Sequence, residues 1–194
     1  MNPSIEIIGY QSRWPPEFAE IGARLRAAFG PLALAIHHIG STSVPGLAAK
    51  DVIDVQVTVA ELDPLAPLQR AIEAAGYRMR LDIGGDHAPA GADTSPALWR
   101  KRYAGAAEGQ SRTNVHIRAR GLPNQRYALL FRDYLRQSAP ARENYALIKR
   151  TLASRDADDV DAYYDIKDPV CDLILDAAQR WADQSGWRSP DSDA

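Results

Sequence analysis

The sequence predicts a mixed α/β domain, a sheet covered by helices with a further helical layer at its C-terminal end. Residues 53–59 alternate strictly, with Ile53, Val55, Val57 and Val59 on one face and Asp54, Gln56 and Thr58 on the other, which is the period of a half-buried strand. Apolar residues recur at helical spacing on either side of it, at Phe18, Ile21 and Leu25 and again at Leu65, Leu68, Ile72 and Ala75. Beyond residue 120 the pattern is helical throughout. Strands followed by helices in this way bury their apolar faces by layering helices on a sheet.

Taken in order, Ile5, Ile7 and Ile8 read as a short first strand, broken from the first helix by Trp14, Pro15 and Pro16. The apolar run 32–39 reads as the next strand, and the stretch from Gly40 through Ser41, Thr42, Ser43, Val44 and Pro45 to Gly46 as a polar turn. Strand 53–59 leads into a helix that Gly76 stops, and a strand follows over residues 77–81. Residues 82–96, interrupted by Gly84, Gly85, Pro89 and Gly91, read as a surface loop or lid-like insertion. Two more strands occupy residues 99–104 and 113–118, the second with Asn114, His116 and Arg118 opposite Val115 and Ile117. Three helices complete the chain, starting near Asn124, after Pro140, and after Asp168 and Pro169, which serve as cap and first-turn proline. Phe131, Leu135, Tyr145, Ile148 and Leu152 give these helices apolar surface to cover the sheet or close over a cleft.

No shift in composition divides the 194 residues, so they read as a single domain: a sheet-containing core over 1–120 with the candidate site, a helical layer over 121–185 and a flexible tail over 186–194. A hydrophobic fraction of 45% with 25% charged residues excludes a disordered chain. The net charge of −2 excludes a dominant nucleic-acid footprint and leaves small anionic ligands open. A single cysteine excludes an intrachain disulfide, and Cys171, beside Val170, Ile174 and Leu175, reads as a packing residue. The first ten residues lack a signal-like pattern and no run approaches the ~20 apolar residues of a membrane span, so a cytoplasmic location is expected.

The chemistry concentrates where the Gly40-Ser41 turn precedes the strand bearing Asp54. Such a turn brings backbone N–H groups and a hydroxyl to a phosphate, and a nearby carboxylate can hold the divalent ion that offsets its charge. An aspartate on the polar side of an apolar strand must find solvent, a cation or donors, which marks a cleft. Gln56 shares that face with only a neutral amide oxygen to offer a metal. His116 reads as a base, a phosphate contact, a ligand for a softer metal or a hydrogen-bonding sheet residue, and His38 as a residue orienting the turn. Arg132, Arg136, Lys149 and Lys167 reach an anionic ligand if their helices line the cleft, and are solvated helix surface otherwise. Tyr145 and Tyr163 fit ligand contact or helix packing.

The run from His38 through Gly40, Ser41, Thr42, Ser43, Val44, Pro45, Gly46 and Leu47 to Lys50, followed by Ile53 and Asp54, closely resembles the signature of the GrpB family, also called UPF0157. Residues 131–136, residues 145–149, and Tyr163 with Lys167 resemble its C-terminal motifs, so the resemblance covers nearly the whole chain. That family is similar to the nucleotidyltransferase superfamily, whose working enzymes position metal and nucleoside triphosphate with a Gly-Ser turn and strand-borne acidic residues. The resemblance thus implies a nucleotidyltransferase-like mixed sheet and transfer of a nucleotidyl group to a small molecule. It implies Mg2+ at Asp54, with Gln56 in the place of a second carboxylate and His116 at the third strand position. It further implies phosphate contacts from Gly40, Ser41, Thr42, Ser43, Lys50, Arg132, Lys149 and Lys167. The family also takes a name from a domain found beside dephospho-coenzyme A kinase, yet the sequence has no Gly-x-x-x-x-Gly-Lys-Ser/Thr run with which to bind and transfer phosphate in that way. The alternatives are a noncatalytic module retaining a nucleotide or phosphorylated ligand, and a protein-interaction or folding-accessory domain.

Overall fold

The computed structural model describes residues 5–106, 112–155, 157 and 159–194. Among these residues five strands, β1 (Ala35–Ile39), β2 (Ile53–Val59), β3 (Tyr77–Met79), β4 (Arg102–Ala106) and β5 (Thr113–Ala119), form one sheet in the order β1-β2-β5-β4-β3. The central pair, β2 and β5, is parallel and the other pairings are antiparallel. The expected mixed α/β architecture with a C-terminal helical layer is what the chain adopts.

The alternation of β2 and β5 divides the sheet into two unlike faces. On one, Val55, Val57, Val115 and Ile117 are fully buried against helices α1 (Trp14–Phe29) and α2 (Leu65–Ala74), whose Trp14, Phe18, Ile21, Leu25, Leu68 and Ile72 complete the main core. On the other, the register sets His37, Gln56, His116 and Tyr103 in one row and Asp54 beside Asn114 in the next. Helix α3 (Pro123–Gln137) covers part of this polar face. With α4 (Ala139–Arg155) and α5 (Val160–Ser185) it encloses smaller clusters, one around Leu47, Leu135, Tyr145 and Cys171 and another around Leu130, Ala178 and Ala182.

Three segments differ from expectation. Residues 5–8 form no strand; Ile8 makes a single antiparallel bridge to Ala49, because the segment it meets is the exit of a turn and offers no extended length to pair with. The last helix starts at Val160, not after Pro169: Asp159 caps it, its carboxylate accepting from Ala162 N–H at 2.9 Å, and Pro169 lies inside. An interior proline removes one backbone hydrogen bond. Here Tyr163 before it and Cys171, Ala178 and Ala182 after it are all buried, so packing holds both halves in one helix. Of residues 186–194, read as a flexible tail, 191–194 run along the outer edge of β1. There Asp193 N–H donates to the Ile36 carbonyl at 2.9 Å, and the Asp193 carboxylate accepts from His38 N–H at 3.0 Å.

Candidate functional site

Between the polar face of the sheet and helices α3, α4 and α5 lies a cleft of about 530 Å³. One wall is the Gly40-Ser41 turn. Gly40 has φ +69°, and a Cβ there would stand 2.3 Å from Asp54 Oδ2. Only glycine therefore lets the turn close down on the aspartate. The loop beyond is braced from behind: Ser43 Oγ donates to the Gly40 carbonyl at 2.6 Å, and the Arg136 guanidinium donates to the Ser43 carbonyl at 2.9 and 3.0 Å. Thr42 Oγ donates to the Val52 carbonyl at 3.2 Å, and His38 Nε2 lies 3.0 Å from that hydroxyl. His38 stacks on Phe18 at 4.7 Å, and burial lowers its imidazole to about 4, so it orients the turn as a neutral ring.

The floor is electrostatically structured. Asp54 Oδ1 accepts from the Asn114 amide at 2.8 Å, and His116 Nε2 faces the same oxygen at 3.9 Å. Burial alone would raise the Asp54 carboxyl; the facing His116 ring and the Asn114 donor outweigh it and hold the group below the usual carboxylate range. On the far side of His116, Lys101 Nζ and Arg118 Nη2 stand 3.5 and 3.4 Å from Nδ1. Burial, with those two cations, lowers the His116 imidazole despite Asp54. The ring thus presents Nδ1 to the two cations and Nε2 to Asp54.

Asp86, delivered by the loop after β3, meets Lys101 at 2.6 Å, Arg118 at 2.8 Å and the Asn124 amide at 3.0 Å. Burial would raise this carboxyl too, but Arg118 and Lys101 together hold it far below its ordinary value. Neither Asp86 nor Lys101 stood out in the sequence, since an irregular loop gives no periodicity to place them. Asn114 and Arg118 had a signal: they share the strand face of His116.

The helical wall carries Tyr127, Phe131, Tyr145, Tyr163 and Tyr164, interspersed with lysines. Lys149 is buried and donates to Ser41 Oγ at 2.8 Å and to the Ala48 carbonyl at 2.6 Å. Lys50 lies over the Tyr163 and Tyr164 rings at 4.6 and 4.8 Å, and Lys167 pairs with Asp168 at 3.1 Å.

Of the residues expected at the site, Gly40, Ser41, Thr42, Lys50, Asp54, His116, Lys149 and Lys167 line this one cleft. Three do not. Gln56 points the way its strand face predicts but is fully buried, its oxygen accepting from Arg118 at 2.7 Å and its amide donating to the Gln125 carbonyl at 3.1 Å. Ser43 is buried, with its hydroxyl turned onto Gly40. Arg132 is 2% exposed and spends its guanidinium on Asp133, the His38 carbonyl and Asp193, because the C-terminal segment supplies a carboxylate behind the sheet edge. Cys171 packs in its cluster as expected and also borders the cleft, its sulfur 3.4 Å from the Tyr145 hydroxyl.

Around Asp54, where magnesium is expected, the other candidate oxygens are already engaged. Asp86 is saturated by cations and an amide, Gln56 is bonded at both ends, and Asp54 is the remaining carboxylate on the floor. Among the described residues no three His, Cys, Asp or Glu side chains converge to hold a metal ion. Hard divalent cations favour sets of carboxylate oxygens, so these residues do not fit a two-metal centre. Among the described residues, no helix is long and apolar enough to cross a membrane.

Comparison with known proteins places these features in a family. A dephospho-CoA kinase of Mycolicibacterium paratuberculosis is 38% identical over 196 residues, covering 95% of this chain and 48% of that protein. The chain thus spans about half the length of the dephospho-CoA kinases it matches. A UPF0157 protein of Halalkalibacterium halodurans is 32% identical over 177 residues, covering 91% of this chain and 84% of that one. The crystal structure of the conserved protein GrpB from Enterococcus faecalis superposes with a TM-score of 0.74 at 30% identity, over 91% of this chain and 99% of that one. The GrpB protein family model matches residues 4–177, so the turn, the strand carboxylate and the helical wall all fall within it, and this chain belongs to the GrpB family.

Proposed function

We propose that the cleft binds a phosphorylated small molecule, with a nucleotide as the first candidate, its phosphate at Ser41, Lys149 and Lys50 and its base against the tyrosine wall. The observation that carries this reading is a charge imbalance. In a chain of net charge −2, the cleft is lined by five cationic side chains, Lys50, Lys101, Arg118, Lys149 and Lys167, against three carboxylates. Two of those carboxylates, Asp86 and Asp168, are paired with Lys101, Arg118 and Lys167, which leaves Lys50 and Lys149 in the cleft with Asp54. Lysines held near a hydroxyl in a partly desolvated cleft favour an anion, and aromatic rings supply stacking for a base.

Nucleotidyl transfer, the finer reading that the family resemblance implies, depends on more metal-binding oxygen than Asp54 alone offers. The neutral amide of Gln56 and the cations of the floor support ligand retention in preference to transfer. The longer mycobacterial relatives make a coenzyme A-type phosphate one member of the ligand class to test.

Calorimetric titration with ATP, ADP and dephospho-coenzyme A, each with magnesium and with EDTA, tests the reading. Binding should persist in EDTA, and Lys149→Gln should weaken it about tenfold or more, the scale of one charged hydrogen bond. Absence of binding to all three ligands rejects the proposal, and binding that strictly requires magnesium restores the transferase reading.

A further inference from the structure

The contact between Ser41 and Lys149 has a chemistry that anion binding does not use. Nζ and Oγ are 2.8 Å apart, the lysine is 3% exposed, and both residues line the cleft. Among the described residues no carboxylate lies within ion-pairing distance of Lys149. The titratable and charged groups around it are Lys167 and Cys171 on α5, Tyr145 and Arg150 on its own helix, and Asp54 across the cleft on β2. Burial first, and the like charge of Lys167 second, lower its ammonium to about 7. An amine in that state has two N–H donors and one lone pair. One N–H serves the Ala48 carbonyl at 2.6 Å, and deprotonation would free a lone pair to accept from the Ser41 hydroxyl, reversing the donation that the ammonium makes to Ser41 Oγ.

We propose that Ser41 is a nucleophile and Lys149 its general base, a serine–lysine pair that hydrolyses a small carboxylic ester held against the aromatic wall. The Ser41 Oγ–H proton passes to Lys149 Nζ as the oxygen bonds the ester carbonyl carbon. The C–O bond to the alcohol breaks, and the alcohol leaves with that proton. Water then attacks the acyl-serine by the same route, releases the acid and restores the hydroxyl. Nucleophile and base within hydrogen-bond reach are the geometric requirement for this chemistry. It uses the same Ser41 and Lys149 as the proposed phosphate site and makes the opposite demand on Lys149, since phosphate needs the ammonium and proton abstraction needs the amine.

The test is to treat the full chain with diisopropyl fluorophosphate, locate the adduct by mass spectrometry, and follow p-nitrophenyl acetate hydrolysis from pH 5.5 to 9. The adduct should sit on Ser41, with loss of fluoride, and Ser41→Ala should abolish it. Both rates should rise with pH to a midpoint near 7, while nucleotide affinity falls through the same window. Lys149→Arg keeps the charge and donors but cannot accept a proton, so it should lower both rates about 100-fold or more. Lys149→Met is the second variant, and a cooperative melt establishes that each is folded. No adduct on Ser41, or an undiminished rate in either folded lysine variant, overturns the assignment whatever the outcome with nucleotides.

Discussion

The two faces of the sheet are made by the same strands and obey opposite rules. On the face toward α1 and α2, Val55, Val57, Val115 and Ile117 are fully buried in a contiguous apolar core. On the face toward α3, the alternate residues Asp54, Gln56, Asn114, His116 and Arg118 are tied into one polar network that reaches Asp86 and Lys101. Burying an apolar side chain stabilises the fold directly, whereas each buried polar group only recovers what desolvation removed. Stability is therefore carried by the first face, and the second is where the chain can hold charge in place for a ligand.

The largest break in that comparison should come from Ile117→Ala. It empties fully buried apolar volume and should cost ~2–5 kcal/mol in urea unfolding, while the folded fraction retains its nucleotide affinity. Loss of affinity in step with stability would mean the two faces are not separable.

Asp86→Asn should come next, at ~3 kcal/mol at neutral pH, because it leaves Lys101 and Arg118 close together without their carboxylate. The pH dependence sharpens the point. Asp86 is held far below its ordinary value when folded, so its contribution is present above the unfolded carboxyl value of ~3.9 and is lost as pH falls below that towards the folded value. The parent should lose stability across that acid window, and the variant should lose less; identical acid profiles would remove Asp86 from the account.

The smallest effect is expected from Lys149→Met. The Lys149 ammonium is lowered to about 7 against ~10.4 in an unfolded chain, so between those values the folded state holds fewer protons and gains stability as pH rises. Relative to Lys149→Met, the parent should gain about 1 kcal/mol between pH 7 and pH 8. A flat difference across that interval would show that the lysine stays charged in its buried position.

What was legible in the sequence divides along the same faces. Period-two alternation fixes which residues of β2 share a face, and by itself it sets Asp54 apart from Val55. The same rule grouped Asn114, His116 and Arg118 on β5. It could not tell that Gln56 would be closed off, because that depends on Arg118 arriving from the neighbouring strand and Gln125 from α3. Arg132 failed for a similar reason: its partner Asp193 is 61 residues away, and helical periodicity carries no information about what meets it. Pro169 is the clearest case of a strong local rule outweighed by packing on both sides of it.

The C-terminal segment along β1 bears on how this protein behaves in a crowd of its own copies. β1 is an outermost strand, and its free backbone groups would be a template for another chain's strand. Asp193 and Ser192 take the outward N–H and carbonyl of Ile36 and the N–H of His38, and Arg132 fastens the Asp193 carboxylate from behind. The opposite edge, β3, has only three residues and offers little length to pair with. Among the described residues one edge is thus occupied and the other shortened, so neither offers a long open template for the intermolecular sheet growth that leads to aggregation.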